Sequence, residues 1–264
     1  MAFMILTAAF SLCPNDIFLF RSFLEHRDHQ PYLDKITMAD IQTLNALALQ
    51  RRVSLIKIST ALFPLIADHY NLMDVGNTLG YGCGPLVLSL SSQEPLTTLA
   101  TPGETTTAHV LAKRYYPLAT LVPMPYNHIV EAILSKKVCG GVLIHEERFS
   151  YNSSLILRAD LGELWERETS SPLPLGCLVI AKNIPVATVE ALTLALRTSL
   201  LNSLKEPKIA GKKALEYAQS KDLMVIHKFI HTYITEETFC LSTTGKKALK
   251  TLWRYCAPFI KHTA

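Results

Sequence analysis

His145 is the residue in this 264-residue chain best placed for acid–base chemistry. It directly follows the apolar stretch CGGVLI, in IHEERF, at the C-terminal end of a predicted strand. An imidazole there, titrating near neutral pH, could take a proton from a ligand. A surface histidine beside a solvated Glu-Glu-Arg run fits the same residues. Two other stretches carry groups suited to binding. In KIST, Lys57 and Ile58 end a strand, and Ser59 and Thr60 precede a helix. In TPGETTTAH, a Pro-Gly turn leads into Thr105, Thr106 and Thr107 at a helix start, followed by Ala108. One threonine caps a helix. Three exceed that need, and their hydroxyls, with the free N–H groups of a first turn, would form a pocket for an anion or a hydroxyl.

SLCPND leaves a buried strand and enters the helix IFLFRSFL, with Asn15 or Asp16 expected as the N-cap. Capping alone and capping combined with ligand binding by the first-turn N–H groups both fit. GYGCGP, with Gly80, Gly82 and Gly84, is the densest glycine cluster, and its GxGxG spacing matches neither a dinucleotide fingerprint nor a Walker loop. It fits a tight turn, or a close approach of a ligand or facing strand to the backbone. His227 and His231 are four apart on a predicted helix, but HKFIH lacks the glutamate of HExxH, so a structural pair is expected. The six cysteines are dispersed with no CxxC, so no metal knuckle or redox pair is expected, and free thiols in a reducing cytosol are.

Composition narrows the classes. With 49% hydrophobic and 18% charged residues, the chain is globular and long enough for one large domain or two smaller ones. Its net charge of +4 is scattered, without an arginine run, which argues against nucleic acid and slightly favours an anionic ligand. The apolar opening MAFMILTAAF has no Lys or Arg before Arg21 to serve as the basic region of a signal peptide, and it is about half the ~20 residues of a membrane span. A cytoplasmic protein without a membrane partner is expected.

The elements that would position these residues alternate. MILTAAF, VSLIKI, LVLSL, LTTLAT, ATLVP, CGGVLI and CLVIA read as strands, and 40–50, 106–116 and 129–135 as helices. The pattern predicts an α/β fold with largely parallel sheets, covered by an almost wholly helical tail from Val186. The chain is expected to cross between two lobes twice, around LSLSSQEP and PLPLGCLVIAK. That predicts a larger lobe of residues 1–92 and 176–264, a smaller lobe of 93–175, and a ligand cleft between them.

Taken in order, SLCPND-IF, IKIS, GYGCGP, PGETTTA, IHEERFSY, DLGELWERETSSPLPLG and the late YAQ, YITEETF and GKKAL resemble the 1,4-dihydroxy-6-naphthoate synthase family of the futalosine route to menaquinone. The resemblance implies a two-lobed, periplasmic-binding-protein-like (type II) fold used for catalysis, and a carbon–carbon lyase. It would convert cyclic dehypoxanthinylfutalosine, a small anionic carboxylate, into 1,4-dihydroxy-6-naphthoate without a cofactor. It implies substrate contacts at Lys57, Ile58, Ser59, Thr107 and Ala108, His145 as proton acceptor, and a cleft lined by Asn15, Asp16, Thr106 and Gly82. The family usually reads SPCPNDTF and often has Arg after the first glycine of the cluster, where this chain has Leu12, Ile17 and Tyr81. A chorismate dehydratase of the same pathway and a non-catalytic solute-binding protein of the same fold are the alternative readings. Monomer and homodimer both remain open.

Overall fold

The central strands are buried at every residue, so the two sheets they build are each covered on both faces. A computed structural model of the chain describes residues 6–25 and 33–260. Met4 and Ile5 of the predicted opening strand lie outside them. The chain begins with β1 (Leu6–Phe10), α1 (Pro14–Glu25), β2 (Leu33–Met38), α2 (Ile41–Leu49), β3 (Leu55–Ser59), α3 (Phe63–Ile66), β4 (Tyr70–Leu72) and β5 (Thr78–Gly80). It continues with β6 (Leu86–Ser89), β7 (Thr98–Thr101), α4 (Thr107–Tyr115), β8 (Thr120–Pro123), α5 (Ile129–Leu134), β9 (Gly140–Leu143), β10 (Ile156–Asp160) and α6 (Leu161–Thr169). β11 (Leu173–Ala181) is followed only by helices: α7 (Val186–Lys205), α8 (Pro207–Tyr217), α9 (Leu223–Tyr233), α10 (Glu236–Phe239) and α11 (Thr243–Ile260).

The first sheet has the order β2-β1-β3-β11-β4, with β5 also on β11, and the second β10-β6-β9-β7-β8. β1 runs parallel to β2 and β3, and β7 parallel to β8 and β9. β11, however, is antiparallel to β3, β4 and β5, and β6 is antiparallel to β9 and β10. The sheets are therefore mixed rather than largely parallel. β6 and β11 are the strands by which the chain enters the second sheet and returns to the first, and both run against their neighbours. The first crossing falls at residues 81–85 and the second at 170–172. Leu86–Ser89 thus pairs in the second sheet although the turn signals place it within 1–92, and Leu173 to Leu175 belong to the first sheet although they precede 176.

In β3, Leu55 packs with Phe10, Phe18, Phe20 and helices α7 to α9 on one face, while Ile56 and Ile58 pack with Leu44, Ile66 and Cys177 on the other. Period-two alternation leaves Lys57 and Ser59 on the α1 side. In β6, Leu88 faces Ile129 and Ile133 of α5, and Val87 faces Leu111 and Trp165 of α4 and α6. The helical tail does more than cover the first sheet. α11 places Leu252 and Cys256 among the second sheet's core residues, while Trp253 stacks on Phe63 at 4.9 Å and donates to the Thr60 carbonyl.

The first crossing packs against the start of α6. A Cβ on Gly162 would run into the backbone of Cys83 and Gly84, and one on Gly84 would meet the Gly162 backbone at 2.6 Å. The glycines let two backbone segments meet. Gly162→Ala is expected to lower stability by about 1–3 kcal/mol through overpacking, read as a lower denaturant midpoint.

Candidate active site

A cleft of the kind that holds small molecules lies where both crossings and several strand ends converge. Eight of the residues expected at the site line it: Asn15, Asp16, Lys57, Ser59, Thr106, Thr107, Ala108 and His145. Ile58 does not, because alternation turns it into the core behind the sheet. Gly82 does not either. With φ +59 it turns the crossing loop outward, and its N–H donates to Glu166, while Gly84 and Pro85 line the cleft in its place. Leu12, Ile17 and Tyr81 also lie outside the lining: Ile17 is 0% exposed in the core, whereas Leu12 and Tyr81 are 36% and 49% exposed at the surface.

The floor is a buried polar network. Pro14 opens α1, so Cys13 stands in the cap position in place of Asn15 or Asp16, its carbonyl accepting from Asp16 N and Ile17 N at 3.0 Å each. Asp16 is thereby in the first helical turn, where its carboxylate meets Lys57 Nζ at 3.0 Å and accepts from Ser11 Oγ at 2.6 Å. Lys57 also donates to the Gly76 carbonyl at 2.8 Å and to Thr78 Oγ1 at 3.0 Å. Gly176, opposite Ser59 in the β3–β11 register, leaves space for the lysine stem. A second pair, Arg148 with Asp160 at 2.6 Å, closes the cleft near Gly84, whose carbonyl accepts from the same guanidinium. Both cations are neutralised by carboxylates.

What can hold an anion is the start of α4. The Thr106 hydroxyl accepts from His109 N at 3.1 Å and donates to the Gly103 carbonyl at 2.7 Å, so it is a cap. Thr105 donates to Gln42 Oε1 at 2.8 Å and accepts from Asn45, which ties α4 to α2 across the cleft. The Thr107 hydroxyl is also committed, donating to the Leu175 carbonyl at 3.0 Å and accepting from Ala61 N at 3.3 Å. The three hydroxyls are therefore structural. The N–H groups of Thr107 and Ala108 lie in the first turn and have no partner within the helix, and both residues line the cleft. Ser59 Oγ accepts from Asn45 Nδ2 at 3.0 Å and keeps its own proton for a ligand.

His145 sits at the C-terminal end of β9 in a 3-10 turn (His145–Phe149), with φ +59. Its Nδ1 is 2.8 Å from Cys13 Sγ, and the Tyr126 ring meets it edge-on at 4.7 Å. It is half-buried in the cleft and paired, not a surface histidine. Loss of hydration pushes its pKa down to about 4, against the opposing pull of Asp16 and Asp40, so the expectation of near-neutral titration does not hold. The imidazole is uncharged at neutral pH. The same loss of hydration, reinforced by Asp16 and Glu146, holds the Cys13 thiol well above its ordinary value. Opposite, Phe229 and Tyr233, four apart on α9, line the cleft and meet Phe149 edge-on. Phe229 and Tyr233 are cleft residues that the sequence analysis does not single out, and the His227 of the same stretch packs on Gly211 of α8. Among the described residues no group of three or more His, Cys, Asp or Glu could hold a metal, and no helix is long and apolar enough to cross a membrane.

The fold is that of two-lobed solute-binding proteins. The alkanesulfonate-binding protein of Xanthomonas axonopodis pv. citri, solved with MOPS bound, superposes with a TM-score of 0.70 at 13% identity, covering 98% of this chain and 94% of that one. A protein of Archaeoglobus fulgidus superposes with a TM-score of 0.90 at 28% identity, covering 96% and 97%. A family model described as menaquinone biosynthesis matches residues 6–258. A curated relative, the 1,4-dihydroxy-6-naphtoate synthase of Streptomyces coelicolor, is 35% identical over 257 residues, covering 94% of this chain and 91% of the relative. The chain belongs to the menaquinone-biosynthesis family and is an enzyme of it rather than a carrier.

Two outcomes follow from this geometry. Thr107→Val should cost about 1–3 kcal/mol of stability by leaving Leu175 O and Ala61 N buried and unpaired, and Thr107→Ser should restore it, as denaturant titration would show. The His145 ring should stay neutral in a nitrogen-15 NMR titration until about pH 4. Because the unfolded ring binds its proton near 6.5, this group makes stability fall as pH drops through the window from 6.5 to 4.

Proposed function

We propose that the enzyme is a 1,4-dihydroxy-6-naphthoate synthase, a carbon–carbon lyase that converts cyclic dehypoxanthinylfutalosine into 1,4-dihydroxy-6-naphthoate, with His145 as the general base. The observation that carries this reading is an uncharged imidazole in the same cleft as a helix N-terminus, whose first-turn N–H groups have no partner within the helix. The substrate carboxylate lies on the Thr107 and Ala108 N–H groups and the Ser59 hydroxyl. With Lys57 and Arg148 already paired, these dipoles supply the attraction for an anion. The aromatic part of the substrate packs on Phe229, Ile144 and Leu175, which face the polar floor. His145 removes the proton that starts fragmentation, a carbon–carbon bond breaks, and formation of the aromatic ring makes the sequence downhill. Oxyanion charge that develops on the way is met by the Ser59 hydroxyl and the α4 N–H groups. No cofactor takes part in this reading. The enzyme works in the cytoplasm, which its six unpaired cysteines suit, and the lobes divide where the chain crosses between the two sheets.

In single-turnover assays with cyclic dehypoxanthinylfutalosine at saturation, His145→Ala is expected to slow product formation by ~10²–10⁴-fold while the substrate still binds. Unchanged single-turnover rates would remove His145 from the mechanism.

A further inference from the structure

Asn45 is an amide in the same helix as Leu44 and Ala48, which pack on Ile56 and Ile58 of β3. It is 0% exposed, and a buried amide is costly unless its polar atoms are bonded. Backbone N–H groups fix which way it faces, because they can only donate. Ser59 N donates to Asn45 at 2.9 Å, so the atom it meets is Oδ1 and the other is Nδ2. Nδ2 then donates to Ser59 Oγ at 3.0 Å, and to the Thr105 carbonyl and Thr105 Oγ1 at 3.1 Å each. Gln42 is oriented in the same way. Thr105 N donates to its Oε1 at 3.3 Å, so the Thr105 hydroxyl gives its own proton to that oxygen at 2.8 Å and accepts from Asn45.

One side chain therefore meets both halves of the anion site. Toward β3, Asn45 fills the acceptor side of Ser59, whose hydroxyl caps no helix and meets no acceptor for its proton among the described residues. Toward α4, the same Nδ2 holds Thr105, which precedes the Thr106 cap and the first-turn N–H groups of Thr107 and Ala108. We propose that Asn45 is a positioning residue for the substrate carboxylate: it makes Ser59 a donor toward the cleft and keeps that hydroxyl in register with the N-terminus of α4, so that the two lobes offer only donors to one group. This rests on the reading that the carboxylate lies there. Asn45 itself stands behind the residues that line the cleft. A carboxylate, which accepts at both oxygens, satisfies such a set. A carboxamide does not, because its NH₂ would face either the Ser59 proton or the α4 N–H groups.

The test is the binding of 1,4-dihydroxy-6-naphthoate and of the corresponding carboxamide, measured by calorimetry under anaerobic conditions. Wild type should prefer the carboxylate. Asn45→Asp keeps an acceptor for Ser59 N but also accepts the Ser59 proton, turning it away from the cleft. The preference for carboxylate over carboxamide should then fall by roughly 10–100-fold, a change of specificity that lost stability alone does not produce. Ser59→Ala should weaken carboxylate binding, and in that background Asn45→Asp should change the preference by about threefold or less. An equal fall in both backgrounds would mean that the new charge acts on the ligand directly, and would overturn the proposal. Carboxylate binding as tight in Ser59→Ala as in wild type would sink the placement of the carboxylate, and the role of Asn45 with it. Weakened binding in Ser59→Ala beside an unchanged preference in Asn45→Asp would sink the role of Asn45 alone. Neutron diffraction from wild-type crystals needs no variant to fold: the Ser59 deuteron is expected in the cleft, and a deuteron directed at Asn45 would overturn the proposal.

Discussion

The ion pair between Lys57 and Asp16 organises the site, because both side chains are almost wholly removed from water, at 5% and 2% exposure. Two charges so placed lose more in hydration than their attraction returns unless every remaining proton and lone pair is used. Here they are. Lys57 spends its protons on Asp16, the Gly76 carbonyl and Thr78, and Asp16 accepts from Ser11. The β1–α1 loop, the centre of the first sheet and the segment entering β5 are thereby locked to one another. Neither charge is left for a ligand, so an anion must be met by hydroxyl and N–H dipoles.

Those dipoles, and the His145 imidazole, are shared between the lobes. The first sheet brings Ser59 and Cys13, and the second brings the start of α4 and His145. α2 fixes the relation between them through Gln42 and Asn45 on Thr105, and Thr107 adds a bond to β11. α11 ties the far side, with Trp253 on the first lobe and Leu252 in the core of the second. Each functional pair, Ser59 with α4 and Cys13 with His145, is assembled only when the two lobes lie together. A fold known from solute carriage thus places an imidazole at the cleft between its lobes.

Much of this was legible in residue types and spacing, and the exceptions have physical causes. Strand ends followed by Ser, Thr or His pointed to Ser59, Thr107 and His145, because strand-to-helix turns gather at one edge of such sheets. Ile58 departs from the contacts that the resemblance implies, because alternation along β3 puts Lys57 and Ser59 on one face and Ile58 on the other. The strands β4 and β5 are three residues each, and β2 and β10 carry charges at sheet edges, so none has the apolar run that marks a buried strand. The glycine cluster fits a tight turn or a close approach to its backbone, and Gly162, far along the chain, is what makes that approach at Gly84. Cys13 gave no signal as a partner of His145, which lies 132 residues away, because only the crossing of the lobes brings them together. The same holds for Arg148 with Gly84, and for Phe229 and Tyr233 against the floor.

The central claim is that substrate lies between the N-terminus of α4 and the imidazole of His145, and it can be tested by crystallography of the His145→Ala enzyme soaked with cyclic dehypoxanthinylfutalosine. The account predicts the carboxylate on the N–H groups of Thr107 and Ala108 within hydrogen-bond distance of Ser59, with the bond to be broken facing position 145. A carboxylate bound instead at Arg148, or a substrate whose reacting carbons point away from position 145, would contradict it.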